Sequence, residues 1–270
     1  MSIDENGFLD PDIARWIHRH RHEHERLFLI CDAINRLAQT HLYKLNIHNE
    51  NVQEVIVALL FVRSLSAYQT SILLIERGLI AEARIILRNL IEILFKLRAA
   101  GKDPEIARVY VYEDEVSRKK FINKFKLLSE DIKGAQGNPK LGELLEAISK
   151  NIGDRDIKER QTQWYAQRAG LEDFYNSVYS LFSSSVHANV RDLQELVVAD
   201  DSGRIKEILY GPAEVVDLDK LLATAADTQA MIVEDVSKVF GLKLQDRLSE
   251  ARRDLQAMFT KNSTPSPPSG

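Results

Sequence analysis

The chain predicts an all-α fold, a bundle of long antiparallel helices with one small β-hairpin near 196–211. Three observations carry this. Glycine and proline are scarce, 12 and 7 in 270 residues, and stand mostly at junctions. Between those junctions apolar residues recur at intervals of three and four. The junctions themselves carry helix-start residues on one side and glycine on the other.

Asp10 with Pro11 makes an N-cap and first-turn pair, opening a helix expected over 11–44. Asn49 or Asn51 caps a second, with Val55, Leu59, Val62, Ser66, Gln69 and Leu73 on helical spacing and Gly78 as the C′ stop. The third, 79–100, reads LIAEARIILRNLIEILFKLRAA and closes at Gly101. Asp103 and Pro104 start a fourth, whose apolar face is Ile106, Val109, Tyr110, Val116, Phe121 and Phe125. KGAQGNP, 133–139, is a loop, and Leu141 to Ile152 a short amphipathic helix.

From Leu171 the spacing of Phe174, Val178, Leu181 and Phe182 is helical until Ser183, Ser184 and Ser185, residues that favour helix ends over interiors. ELVVADDSGRIKEILYGP then reads as two short stretches around a turn at Gly203, the hairpin. Two helices, 216–240 and 242–261, complete a single domain of 1–262, with the core bundle over about 51–240. The tail 263–270 is disordered by composition.

An apolar fraction of 44 % and a charged fraction of 28 % are ordinary for a globular domain. A net charge of -4 argues against a nucleic-acid binder that uses its whole surface. The opening MSIDENGFLDPD has no basic region leading into an apolar segment, so no signal peptide is expected. Arg63, Glu76, Arg77, Arg84 and Arg88 interrupt the apolar stretches, so no membrane span is expected. The single cysteine, Cys31, excludes an intramolecular disulfide and reads as a small buried hydrophobe. A cytoplasmic location and no cofactor are the expectation. The length of the N-terminal helix suggests that one end projects to pair with a second copy, so a homo-oligomer is expected as well.

Four segments carry charge or chemistry. In the third helix, Ile86, Leu87, Leu90, Ile93, Leu94 and Leu97 cover one side, whereas Arg88 and Glu92 fall among Ala81, Ile85, Phe95 and Ala99. A desolvated Arg and Glu one turn apart are costly unless paired, so they either pin helices together or belong to a site. Second, HRHRHEHER, 18–26, places His18 with His22 and His20 with His24 at the spacing of four that lets two imidazoles share a metal ion. A third ligand would have to come from Glu23, Glu25 or another helix, and the solvated helix surface is the stronger reading. Third, Arg19 and His24 have the Arg-x4-6-His spacing of the HEPN ribonucleases, but so do Arg15 with His20 and Arg36 with His41, as chance supplies in a helix rich in both. Fourth, in SRKKFINKFK, Lys120 and Lys124 flank Phe121, a pattern that stacks bases and holds phosphate, although the spacing also fits a packed helix face.

The order of ERGLIAEARIILRNLIEILFKL, a Trp164–Tyr165 pair, FYNSVYSLFSSSVHANVRDL and a Gly-Pro turn resembles the bacterial domain-of-unknown-function family 5677 over about residues 55–240. Its Gly-Leu turn, Arg-x3-Glu step and Ser-x2-His element match Gly78–Leu79, Arg88–Glu92 and Ser184–His187. The resemblance implies a helical bundle and a shared polar centre, and no reaction. Arg88, Glu92 and His187 are the candidate catalytic residues, and Arg84, Ser184, Asn189 and Arg191 candidate contacts for an anion. Three functions remain open: an interaction or regulatory protein whose Arg–Glu–His centre is structural, a HEPN-like metal-independent ribonuclease of a defence or toxin system, and a small-anion or nucleotide-binding module. RNA, a small anion and a protein are accordingly the partners to consider.

Overall fold

A computed structural model describes residues 6–131, 139–183, 193–194, 196–212, 218–243 and 246–260. After a short 3-10 turn at Gly7–Leu9, the helices are α1 (Ile13–Glu23), α2 (Glu25–Leu42), α3 (Val52–Glu76), α4 (Ile80–Lys102), α5 (Pro104–Asp131), α6 (Pro139–Asp154) and α7 (Thr162–Ala169). A further helical stretch follows, made of α8 (Glu172–Phe174), a π turn (Tyr175–Tyr179) and α9 (Ser180–Ser183). The hairpin strands β1 (Val197–Ala199) and β2 (Ile205–Ile208) precede α10 (Leu218–Val239) and α11 (Asp246–Thr260).

The ends obey local chemistry. Asn51 caps α3 by accepting from the Glu54 amide, while Glu54 reaches back to the His48 amide and the Asn51 side chain, satisfying donors on both sides of the helix start. Gly78 closes α3 at φ +74°, with the Leu79 amide donating to the Leu74 carbonyl as a C′ glycine does. Asp103 caps α5 through the Glu105 amide. At the N-terminus Asp10 accepts from the Asp12 amide and the first helix begins at Ile13. The expected single helix over 11–44 is two: the chain leaves helical geometry at His24 (φ -112°, ψ 27°) between α1 and α2.

The hairpin pairs Val197 with Ile208 and Val198 with Glu207, antiparallel, around a turn closed by Asp200 and Gly203. Both strands lie at the surface.

At the centre α3 and α4 pack as an antiparallel pair, and α10 lies against both. On one side α2 and α11 cover α10; on the other α7, α5 and α9 cover α4. The core fills with Phe61, Leu65, Tyr68 and Ile75 of α3, Leu87, Leu90, Leu94 and Leu97 of α4, and Leu222, Ala226, Ile232 and Val236 of α10. Cys31 is buried there beside the Leu222 carbonyl.

Two helices distribute their apolar residues in ways that spacing leaves open. Helix α3 is apolar all round, with a mean hydropathy of 1.5 over its most apolar window, and by length and composition could cross a membrane. In the bundle 56 % of that window is buried, as in a core helix. Its buried face is Val57, Phe61, Ser64, Tyr68, Ile72 and Ile75, whereas Leu59, Val62 and Leu73 of the other stripe are 61 %, 46 % and 51 % exposed. Helix α5 changes face along its length: Ile106 and Tyr110 turn to the bundle, then Glu115 and Ile122, on the opposite side, turn toward α6. Phe121, expected in the apolar face, is consequently 70 % exposed.

Candidate functional site

Arg88 and Glu92, one turn apart on α4, share a helix face and meet Tyr179 at the end of the π turn. An Arg88 Nη2–H donates to the Tyr179 hydroxyl at 2.8 Å, and that hydroxyl donates to Glu92 Oε1 at 2.7 Å. The direct Arg88–Glu92 separation is longer, 3.4 Å. The guanidinium carbon also lies 5.1 Å from the Tyr179 ring centroid, a cation–π approach. The two charged side chains are 22 % and 24 % exposed, and Tyr179 is buried.

The π turn sets the tyrosine in place. Its wider turn stacks Tyr175 on Tyr179, ring centroids 5.0 Å apart and planes within 19°, and both rings pack with Phe174 around Phe95 of α4. Such single-turn insertions recur at functional sites. Burial, followed by donation to Glu92, raises the Tyr179 pKa, opposed by the Arg88 hydrogen bond. A phenol held neutral in this way is not a base near neutral pH. It can relay hydrogen bonding between the two charges, and with them it closes a circuit that leaves one buried donor, Arg88 Nε, without a partner among the described residues.

One turn further along α4 the polar stripe continues with Lys96, 5.8 Å from the Tyr110 ring centroid. Next to it Glu113 of α5 accepts from the Tyr165 hydroxyl at 2.8 Å and from the Arg160 amide at 3.1 Å. Burial raises the Glu113 pKa against the pull of these donors, and burial with Glu113's proximity raises that of Tyr165. Trp164 meets Tyr165 edge to face, flanked by the guanidinium groups of Arg160 and Arg168. Arg98 of α4, on the side toward α10, forms a buried pair with Asp235.

Of the residues expected from sequence, Arg88 and Glu92 lie together on α4. Arg84 is half-buried one turn earlier. Ser184, His187, Asn189 and Arg191 lie outside the described residues. Lys120 pairs with Glu159, and Lys124 is exposed. His18 and His22 are exposed on α1, His20 is buried, and His24 places Nδ1 2.8 Å from Asp219 Oδ1. His41 is buried with Nδ1 on the Leu37 carbonyl. Two clefts among the described residues lie elsewhere, one between α2 and α11 lined by Ile34, Leu37, Leu248 and Ala251, the other around His48, Gln53 and Arg108.

Sequence reasoning missed Tyr179. The signal was the pair Tyr175 and Tyr179, four apart and on one helix face with Phe182, and nothing local says that either phenol faces Arg88.

Fold and site together define an α-helical bundle protein organised around a half-buried Arg–Tyr–Glu centre. The family of unknown function DUF5677 matches residues 54–205, more than half of the chain, and the chain belongs to that family. The matched span runs from α3 to the hairpin and contains the whole centre, while α10 and α11 follow it. No curated protein and no solved structure matches the chain.

Proposed function

We propose that this chain is an interaction protein that works as a homo-oligomer, with the Arg88–Tyr179–Glu92 circuit as a structural lock. The observation that carries this reading is the outer stripe of α3. Val55, Leu59, Val62, Ser66, Gln69 and Leu73 follow one another at intervals of four and three, with Arg63 at the edge of the stripe and Gln69 donating to Asn35 of α2. Its large members are among the most exposed apolar side chains of the helices. A run of this kind is the seam by which one helix packs on another. Two-fold self-association sets such a patch against its own copy, with Val62 opposite Ser66 and Leu73 opposite Val55 in an antiparallel pairing. The buried thiol of Cys31 suits a reducing cytoplasm.

The test is the mass in solution. Light scattering after size-exclusion chromatography should give a multiple of the 30.8 kDa chain, and Leu59→Glu with Val62→Glu should reduce it to the monomer without unfolding it. A wild-type monomer at tens of micromolar, or an oligomer indifferent to both substitutions, would overturn the reading.

A second reading, contact with RNA, is favoured by one observation: Phe121 is 70 % exposed with Lys120 and Lys124 beside it. Stacking of a base on an exposed ring amid lysines is worth about 1–3 kcal/mol. A gel-shift titration with single-stranded RNA should then weaken about tenfold in Phe121→Ala. Incubation with labelled RNA in EDTA asks separately whether the strand is cut.

A further inference from the structure

We propose that His20, Glu23 and His24 form a binding site for a borderline divalent transition metal such as Zn²⁺, Co²⁺ or Ni²⁺, built at the break between α1 and α2. One donor atom of each side chain lies within 4.8 Å of those of the other two. Ligands about 2.1 Å from a tetrahedral zinc stand about 3.4 Å apart, so closure takes side-chain rotations of about an ångström.

The missing third ligand of the histidine run is thus Glu23, delivered by the chain's own turn. His20, Glu23 and His24 occupy positions i, i+3 and i+4, which share one helix face. Both imidazoles are held from outside the trio. The His20 ring stacks on Trp16 at 5.2 Å and meets Phe28 edge-on, so a wall of aromatics fixes its plane. His24 is oriented from another helix: Asp219 of α10 sits 2.8 Å from Nδ1. In the neutral imidazole Nδ1–H donates to that carboxylate and Nε2 carries the lone pair. A carboxylate behind the imidazole is the usual outer support of a metal-binding histidine, and its loss typically costs about 10–100-fold in affinity.

The charge around the trio suits a cation better than the string of arginines suggests. Arg21 is turned away, donating to Asp32 at 2.7 Å and to Glu76 at 2.8 Å. Arg19 lies over the Trp16 ring, its Nε 3.7 Å from Glu23, so a metal ion would take over a carboxylate from a weak, exposed ion pair. With two imidazoles and one carboxylate, a tetrahedral ion keeps one position for water or an outside ligand. His18 and His22, the other pair at a spacing of four, lie exposed on α1, and they serve as the internal control.

The experiment is calorimetric titration of the full chain with ZnCl₂, paralleled by the visible absorption of the Co²⁺ form, which reports tetrahedral coordination. One equivalent with a Kd of micromolar or tighter is expected. His24→Ala should weaken it at least 100-fold, Glu23→Gln and Asp219→Asn about 10-fold each, and His18→Ala with His22→Ala should leave it unchanged. Thermal melts without metal establish that each variant is folded, and Glu23→Gln, at the surface, keeps the test open should the buried positions not tolerate change. Saturation only at millimolar metal, wild-type affinity in His24→Ala and Glu23→Gln, or loss of binding in the His18, His22 double variant would each overturn the proposal.

Discussion

The Tyr179 hydroxyl donates to Glu92 Oε1 at 2.7 Å across 87 positions of chain, while taking a hydrogen bond from Arg88. One phenol therefore joins the π turn to α4 and bridges two charges whose direct separation is 3.4 Å. The neutral bridge gives each ion one hydrogen bond where water reaches them poorly.

Tyr179→Phe should destabilise the fold by about 1–3 kcal/mol, because it strips a donor from one half-buried ion and an acceptor from the other. Arg88→Ala should cost about 2–4 kcal/mol, somewhat below the loss typical of a fully buried pair. In a double-mutant cycle by urea unfolding, Tyr179→Phe and Glu92→Gln should couple by more than about 0.5 kcal/mol. Strict additivity would mean that the circuit does not act as a unit.

Arg98 and Asp235 pin α4 to α10 with side chains 14 % and 9 % exposed. Asp235→Ala strands the guanidinium in the core and should cost about 3–5 kcal/mol, whereas removal of Lys238, whose side chain lies mostly in water, should change stability by less than about 1 kcal/mol. Equal effects in chemical denaturation would contradict this ranking.

Glu113 imposes a pH dependence of known sign. Its carboxyl titrates above the ordinary value of 4.5 because burial disfavours the charge. The folded state therefore binds that proton more tightly than the unfolded chain. The stabilisation is complete below the unfolded value and lost as pH rises through the folded one. Relative to Glu113→Gln, the wild type should lose melting temperature as pH rises above about 4.5. A wild-type loss that grows instead as pH falls would refute the assignment.

Burial pushes the Cys31 thiol up to about 12. At pH 8 about one such thiol in ten thousand is ionised, and the folded protein shields it. Ellman's reagent should react with less than stoichiometric thiol in buffer and with one thiol per chain in denaturant. Prompt reaction of the native protein would show that the α2–α10 contact opens readily.

Gly78→Ala forces a side chain into left-handed geometry at φ +74° and should cost about 1–2 kcal/mol. The melting temperature checks it. An unchanged value would mean that the α3–α4 turn relaxes into another conformation.

Helix ends were legible because their causes are local. Asn51, Gly78 and Asp103 satisfy backbone groups within a few residues of themselves; Gly78 and Asp103 stand where the sequence placed them, and the structure chose Asn51 over Asn49. The sequestration of Arg88 and Glu92 was legible for the same reason, since a helix of fixed period shows which charges share a face with Phe95 and Ala99. What only the tertiary structure decided depends on contacts between segments far apart in the chain. Tyr179 became the partner of Arg88 and Glu92 because a π turn rotates it toward α4. Helix α3 had two apolar stripes, and the packing of α4 and α10 decided that Leu59, Val62 and Leu73 would face outward. His24 broke the first long helix where α2 turns onto α10, and α5 exchanged one buried face for another where α6 replaced the bundle as its neighbour. Periodicity reports which residues stand together on an element; which neighbour covers them is settled by the free energy of the whole packing, to which every distant segment contributes.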